Sequence, residues 1–429
     1  RIVEHQRSLL FNTAIKACAK AGQHGRAGQF YGEMCAQRIR LNSKTFGKLM
    51  ESGAKAGNMA VAQHWFDESK AAGFQPDAVQ CGIMLSAASN VGDLVAAEHW
   101  FGNSREHGLD TNGIFSFNAL IDAAAKREDL AATERWFNRI LSARLAPDII
   151  TFNSAISCAA KRGNLDTAEV WFRRARETGA VPDLYTFNIL ADAAAKRGDV
   201  AAAAGWLEAA KQQGLRPDVV TFTAVIHAAV KARDRAAAKR WFDLMNDARA
   251  RPNTYTYTML VDTYARAGDM SRALSWFRQL RHALLEPSTT TYGALLNGYA
   301  RLGDLGAALR CFQELQDSRL PLHVVSCNHV LKAFAVEGSQ QSAAEDFFRE
   351  MVLVKKMAPT PITLQLLGHI VPQQRLGELC AEVRVDYDAV MRQDFDSGRD
   401  KRALSRGRHV ERSVSAKSAP YAEFRRRRG

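Results

Sequence analysis

The sequence predicts an all-α protein, an α-solenoid of about ten helix–turn–helix repeats. Three observations predict it. First, residues 149–183 (IITFNSAISCAAKRGNLDTAEVWFRRARETGAVPD) are followed at once by a second version of themselves, residues 184–218 (LYTFNILADAAAKRGDVAAAAGWLEAAKQQGLRPD). Asn153 and Asn188, Trp171 and Trp206, and Asp183 and Asp218 each lie 35 residues apart, and a fixed period of roughly 20–50 residues marks stacked supersecondary units. Second, each unit carries two helix breaks, one at a central glycine and one at a terminal Pro-Asp. Third, alanine is abundant and bulky β-branched runs are few, which favours closely packed helices over sheet.

With each unit ending at its Pro-Asp, ten units begin at Ser8, Ser43, Ala78, Ile114, Ile149, Leu184, Val219, Thr254, Thr289 and Val324. The third has one extra residue around Asn112–Gly113. The tenth is about two residues longer, with slack in Glu337–Gln341 and near Lys355–Met357. Residues 1–7 read as the remnant of a longer chain, because the sequence starts at Arg1 and not at Met. Residues 361–383 read as a degenerate partial repeat capping the array, and 384–429 as a basic, disordered tail.

The first helix of a unit is expected from about its second to its thirteenth residue, with apolar positions such as Phe152, Ile156 and Ala159–Ala160 in the fifth unit. It stops at the fifteenth residue, usually glycine (Gly163, Gly198, Gly268, Gly303), which accepts the left-handed cap conformation. The next residue (Asn164, Asp199, Asp234, Asp269, Asp304) is a good N-cap for the second helix. That helix carries an aromatic pair at its centre, and proline then prevents its continuation. All seven tryptophans (Trp65, Trp100, Trp136, Trp171, Trp206, Trp241, Trp276) sit at the twenty-third position. Identical placement in the second helix argues for core rather than for stacking on nucleobases, at roughly 1.5–3 kcal/mol or more per buried side chain.

Lys and Arg number 58 against 45 Asp and Glu, a net charge of +13, so polyanions are the expected partners. Residues 384–429 hold 13 of these cations and 7 of the acids, which leaves about +7 on the array itself. No apolar run approaches the roughly 18–20 residues that span a bilayer, so a soluble protein with no membrane partner is expected. The seven cysteines (Cys18, Cys35, Cys81, Cys158, Cys311, Cys327, Cys380) are odd in number and form no CxxC pair. They read as small helical residues in a reducing compartment, not as disulfides or a metal site.

A 35-residue helix–turn–helix with T-F-N near its start, K-R/A-G-D/N at its bend and P-D at its end resembles the pentatricopeptide repeat family, over about residues 8–360. The tetratricopeptide repeat, of period about 34, places W-x2-L-G-x2-Y in its first helix. Here the tryptophans lie in the second helix instead. The resemblance implies a right-handed superhelix that binds single-stranded RNA along its concave face, one base per repeat, without cofactor. It also implies an organelle, plastid or mitochondrion, and transcript processing, stability, editing or translation as the process served, with RNA-processing proteins as further partners.

In the family the fifth residue of a unit and its last residue together choose the base. The fifth positions here are Asn12, Asn118, Asn153, Asn188, Thr223, Thr258 and Asn328, an amide or hydroxyl suited to a Watson–Crick edge. Their alternative role is helix capping or contact between units. By the family's rules Asn118 with Asp148, Asn153 with Asp183 and Asn188 with Asp218 would read U-U-U, and Thr223 with Asn253 would read A. Thr258 with Ser288 suggests a purine and Asn12 with Asn42 a pyrimidine. Gly47, Gly82 and Gly293 offer no side chain, so those units would space the RNA without reading it. The implied core is Y-N-N-U-U-U-A-R-N-Y.

The second residue of most units is apolar or aromatic (Leu9, Val79, Phe115, Ile150, Tyr185, Val220, Tyr255, Val325), with Lys44 and Thr290 breaking the run. Family members use it to sandwich bases, at about 1–3 kcal/mol per stacked base in single-strand binders. Packing against the preceding unit is the alternative. The thirteenth residue is a cation in eight of ten units: Lys20, Lys55, Lys126, Lys161, Lys196, Lys231, Arg266 and Arg301. It suits both a helix C-terminus and a phosphate track.

Nothing here reads as an enzyme. His409-Val410-Glu411 matches half of a zinc-deaminase motif, but no cysteine follows Cys380. Asp386, Asp388, Asp394, Asp396 and Asp400 are scattered among cations and read as a solvated linker. Two competing readings are a helical-repeat scaffold that holds a peptide in the same groove, and a catalytic RNA-processing factor whose active domain precedes Arg1.

Overall fold

The computed structural model describes residues 2–106, 113–338 and 340–396. Among them are twenty-three α-helices, one π-helical turn and no strand. The chain divides into two compact bodies, Arg1–Pro252 and Asn253–Gly429.

In the first body the helix pairs begin with α1 (Ile2–Lys20) and α2 (His24–Ala36), then α3 (Ser43–Lys55) and α4 (Met59–Ala71). α5 (Ala78–Val91) and α6 (Leu94–Glu106) follow, then α7 (Ile114–Lys126) and α8 (Leu130–Ser142). Next come α9 (Ile149–Lys161) and α10 (Leu165–Glu177), α11 (Leu184–Arg197) and α12 (Val200–Gln212), and α13 (Val219–Lys231) and α14 (Arg235–Asp247). The second body holds α15 (Thr254–Arg266) and α16 (Met270–His282), α17 (Thr289–Leu302) and α18 (Leu305–Asp317), and α19 (Val324–Glu337) and α20 (Gln341–Arg349). It closes with α21 (Pro361–Gly368), α22 (Gln373–Glu382) and α23 (Tyr387–Asp396).

Within each body every first helix packs on its own second helix and on the first helices of neighbouring units. The predicted caps form. Asn164, Asp199, Asp234, Asp269 and Asp304 each accept a backbone N–H in the first turn of the second helix. The fifteenth position has positive φ in every repeat, even where it is Glu128 (60°) or Arg233 (61°) instead of glycine.

The tryptophans belong to the core. Trp65, Trp100, Trp171 and Trp276 are buried and Trp136, Trp206 and Trp241 half-buried. In four units of the first body the phenylalanine beside the tryptophan meets the next repeat's tryptophan edge to face, among them Phe66 on Trp100 at 4.7 Å, Phe137 on Trp171 at 4.8 Å, and Phe172 on Trp206 at 5.0 Å. The aromatic pair is thus a ladder along the second helices, a favoured ring geometry worth about 0.5–1.5 kcal/mol per contact beyond area burial. On the other side Phe46, Phe152, Phe187 and Phe222, each just before the fifth position, are fully buried. Seven free cysteines are present, Cys35 exposed and the others buried.

Three boundaries differ from those the sequence suggested. Residues 2–7 are helical and continuous with the first unit's first helix, because nothing breaks α1 before Lys20. The tenth unit takes up its extra length as a π-helical turn at Glu350–Val354, a usual way to absorb one inserted residue in a helix. Residues 387–396 are helical where a disordered tail was expected, and Asp386 accepts the N–H of Ala389 at its start. The expectation for the rest of the tail, 397–429, lies outside the described residues.

Candidate nucleic-acid interface

Positions 2, 5, 9 and 13 of a unit are separated by three or four residues, so they line one face of the first helix. At position 2, Leu9, Val79, Phe115, Ile150, Tyr185, Val220, Tyr255 and Val325 are 52–68% exposed. They face solvent instead of packing into the preceding unit. Recurrent exposed apolar side chains on one helix face are a recognised mark of interaction surfaces.

Position 5 is the reverse. Asn118, Asn153, Asn188, Thr223, Thr258 and Asn328 are buried, at 6–9% exposure. Asn118 donates from Nδ2 to Asp148 at 3.0 Å, Asn153 to Asp183 at 3.2 Å and Asn188 to Asp218 at 3.4 Å. The structure thus brings together the three pairs that the sequence matched across 30 residues.

A third member completes each set. The threonine at position 3 of the following unit is fully buried and donates to the amide oxygen: Thr151 to Asn118 at 2.5 Å, Thr186 to Asn153 at 2.7 Å, Thr221 to Asn188 at 2.6 Å. The same hydroxyl accepts the backbone N–H of the aspartate, closing a capping box. Because an ionised carboxylate only accepts, the amide nitrogen must face the aspartate, which settles the amide's orientation. One N–H and one oxygen lone pair of each amide remain for a ligand.

Other units use the same hub with different partners. Thr45 bridges Asn12 (2.8 Å) and Asn42 (3.1 Å). Thr291 bridges Thr258 (2.7 Å) and Ser288 (3.0 Å). Asn253 caps α15 through the Thr256 N–H. In the tenth unit, where the sequence offered no partner, Thr360 meets Asn328 at 3.4 Å and Thr363 donates to it at 2.8 Å. Sequence reasoning missed the threonine as a functional residue and missed Thr360 as a partner. The signal was present in the first letter of T-F-N, which had served only as a family mark.

The amides open onto a cavity of about 450 Å³ lined by Phe115, Asn118, Ile150, Asn153, Asp183 and Tyr185. Similar cavities surround two of the glycines: about 500 Å³ at Gly82, between Val79 and Phe115, and about 540 Å³ at Gly293, between Tyr255 and Val325. Nothing lies within 4 Å of a Cβ built on either glycine.

At position 13, Lys196 is half-buried and the other seven cations are exposed. Lys126 donates to the Ser89 carbonyl (2.9 Å) and Lys231 to the Lys196 carbonyl (2.6 Å), both at the end of the preceding first helix. The helix-terminus role is therefore real for these two. Charge on the face is tuned by burial. Burial raises the Asp183 carboxyl, but hydrogen bonds from Thr186 and Asn153 outweigh it and hold the group below the usual carboxylate range. Burial lowers His227, with Lys231 and Lys196 adding to the effect and Asp192 opposing it. Burial likewise brings His329 down to about 4.

The described helices include none long and apolar enough to cross a membrane. No curated protein sequence matches the chain. In fold it is similar to the pentatricopeptide repeat protein PPR10 from maize, with a TM-score of 0.52 and 20% identity, covering 94% of this chain and 58% of that one. The chain thus spans less than two thirds of the maize protein. Similarity to PPR10 in complex with an 18-nt psaJ RNA element is weaker, at TM-score 0.42 and 18% identity over 86% of this chain and 68% of that one. The pentatricopeptide repeat domain of Arabidopsis thaliana protein-only RNase P 1, in complex with tRNA, matches at TM-score 0.35 and 16% identity over 40% of this chain and 90% of that one.

The pentatricopeptide repeat domain model matches residues 64–127, 105–162, 207–266 and 242–301. Two further models of the repeat match 147–196, and 10–39 with 290–320. These spans together cover more than half of the sequence, so the chain belongs to the pentatricopeptide repeat family.

Proposed function

We propose that this chain binds single-stranded RNA sequence-selectively, one base per repeat, and acts on an organellar transcript by occupying it. The observation that carries this reading is the repeated triad at positions 5, 35 and 3, set between exposed apolar residues. Each triad holds an amide by two hydrogen bonds and leaves one donor and one acceptor, at Asn118 and Asn153 toward a cavity. Those two atoms complement the N3–H and a carbonyl oxygen of uracil. Position 2 side chains from adjacent units stack on the base from both sides. Cations from position 13 meet the phosphates. Fourth to sixth units then read U-U-U, in the order Asn118/Asp148, Asn153/Asp183, Asn188/Asp218, and the sequence code of the seventh adds A. Bound RNA is held unpaired and shielded from nucleases, which accounts for effects on processing, stability, editing or translation without catalysis by these residues.

Fluorescence anisotropy of labelled 12-mers with UUUA, against the same RNA with GGGC, tests the reading. UUUA-preferring binding that weakens with salt and with Asn153→Ala plus Asn188→Ala is expected. Binding to neither RNA at low salt would refute it and turn attention to peptides in the groove.

A further inference from the structure

The cations at position 13 are not equivalent, because position 9, one turn earlier on the same face, alternates. In the second, fourth, sixth and eighth units it is Glu51, Asp122, Asp192 and Asp262. Each carboxylate pairs with its own unit's cation: Glu51 with Lys55 at 3.0 Å, Asp122 with Lys126 at 2.7 Å, Asp192 with Lys196 at 2.9 Å, Asp262 with Arg266 at 2.8 Å. In the first, fifth, seventh and ninth units position 9 is Lys16, Ser157, His227 and Asn297, none of them an acid. Lys20, Lys161 and Arg301 have no ion pair or hydrogen bond among the described residues, and Lys231 has only the Lys196 carbonyl. The third unit has neither charge, with Ser86 and Asn90.

The two kinds of step offer a phosphate different things. A free cation arrives with loosely held counterions, whose release favours binding. A cation at contact distance from a carboxylate has already lost them, and its partner repels an incoming phosphate. The paired steps at Lys126, Lys196 and Arg266 are close to neutral, the second unit keeps one charge because Glu51 also pairs with Lys48 at 2.7 Å, and each unpaired step keeps its positive charge.

We propose that the RNA backbone is gripped at the first, fifth, seventh and ninth repeats and not at the even-numbered ones between them. Lys20, Lys161 and Lys231 in the first body and Arg301 in the second carry the phosphate contacts. Lys55, Lys126, Lys196 and Arg266 serve intramolecular pairs, and their carboxylates hold phosphates away. This rests on the RNA-binding reading above and narrows it. Affinity for any polyanion is thereby kept below what eight free cations would produce, leaving more of the discrimination to the base-facing triads.

The test compares variants of the full chain on the UUUA 12-mer between 50 and 200 mM salt. Changing Lys20, Lys161, Lys231 and Arg301 to Gln should flatten the slope of log K against log salt by about 2.8, at roughly 0.7 per phosphate contact on a single strand. The same change at Lys55, Lys126, Lys196 and Arg266 should move it by less than about 1. Asp122→Asn with Asp192→Asn should steepen it by about 1.4 and tighten binding. Single substitutions, which leave the stack least disturbed, give the same contrast: Lys161→Gln should weaken binding about fivefold near 0.1 M salt, and Lys126→Gln, which unpairs Asp122 but removes no phosphate contact, should weaken it by less than half as much. Equal losses from the two quadruple sets, or weaker binding after removal of the carboxylates, would overturn the proposal while leaving RNA binding intact. No RNA binding by the unmodified chain would overturn both.

Discussion

Thr186→Val separates the two things that the triad does. Thr186 is fully buried, and valine matches its shape without the hydroxyl. The substitution removes the donor to the Asn153 amide oxygen at 2.7 Å and the acceptor of the Asp183 backbone N–H at 3.2 Å. It keeps the backbone N–H that caps onto Asp183 at 2.9 Å, so α11 still starts where it did. Asn153 is only 6% exposed, so water cannot fully replace the lost donor. An unsatisfied group of this kind costs about 1–3 kcal/mol, which thermal or denaturant melting would read. The amide is then held by one hydrogen bond, to Asp183, and its edge is no longer aligned with the base. A good two-point contact discriminates between bases by about 1–3 kcal/mol, roughly tenfold or more in affinity. Anisotropy on UUUA RNA, with the second U kept or changed to G, should therefore show Thr186→Val losing most of the selectivity that Asn153→Ala loses, at that nucleotide only. A variant that melts earlier but selects U as before would show that the threonine holds the stack together and does not aim the amide.

Other perturbations have equally definite outcomes. Leu284 has φ of 56° and is 93% exposed, so Leu284→Gly should stabilise the protein by about 0.5–1 kcal/mol, relieving left-handed strain at little cost in packing; a lower melting temperature would contradict this. Gly293→Asn with His323→Asp should install an Asn–Asp pair in an open cavity and create about tenfold preference for U at one nucleotide, where the parent shows none. His329 is held near 4 by burial, so the unfolded chain takes up its proton first as pH falls from about 6.5 to 4, and stability declines across that window. The loss approaches about 3 kcal/mol at the lower end, and His329→Gln should flatten that part of the stability–pH curve.

Much of this was legible in the sequence because a repeat array is nearly one-dimensional. The 35-residue period, the central glycine with its Asp or Asn, and the Trp-Phe pair each report a local event: a helix stop, a cap, a buried rung. Local chemistry decides such events, and repetition averages away the noise in any one unit. Positions 5 and 35 could be matched because the family's rule concerns sequence spacing. What only the tertiary structure decided was how side chains share partners across units. Thr186 was only the first letter of T-F-N, and its hydroxyl became the link between Asn153 and Asp183 once α9 and α11 were stacked. Exposure at position 2 likewise depends on where the preceding unit leaves room. A column of eight cations looked uniform as letters, and ion-pair geometry divided it into paired and unpaired members. Backbone form follows from short-range preference, whereas the availability of a charge or an amide depends on what else comes within about 3 Å of it.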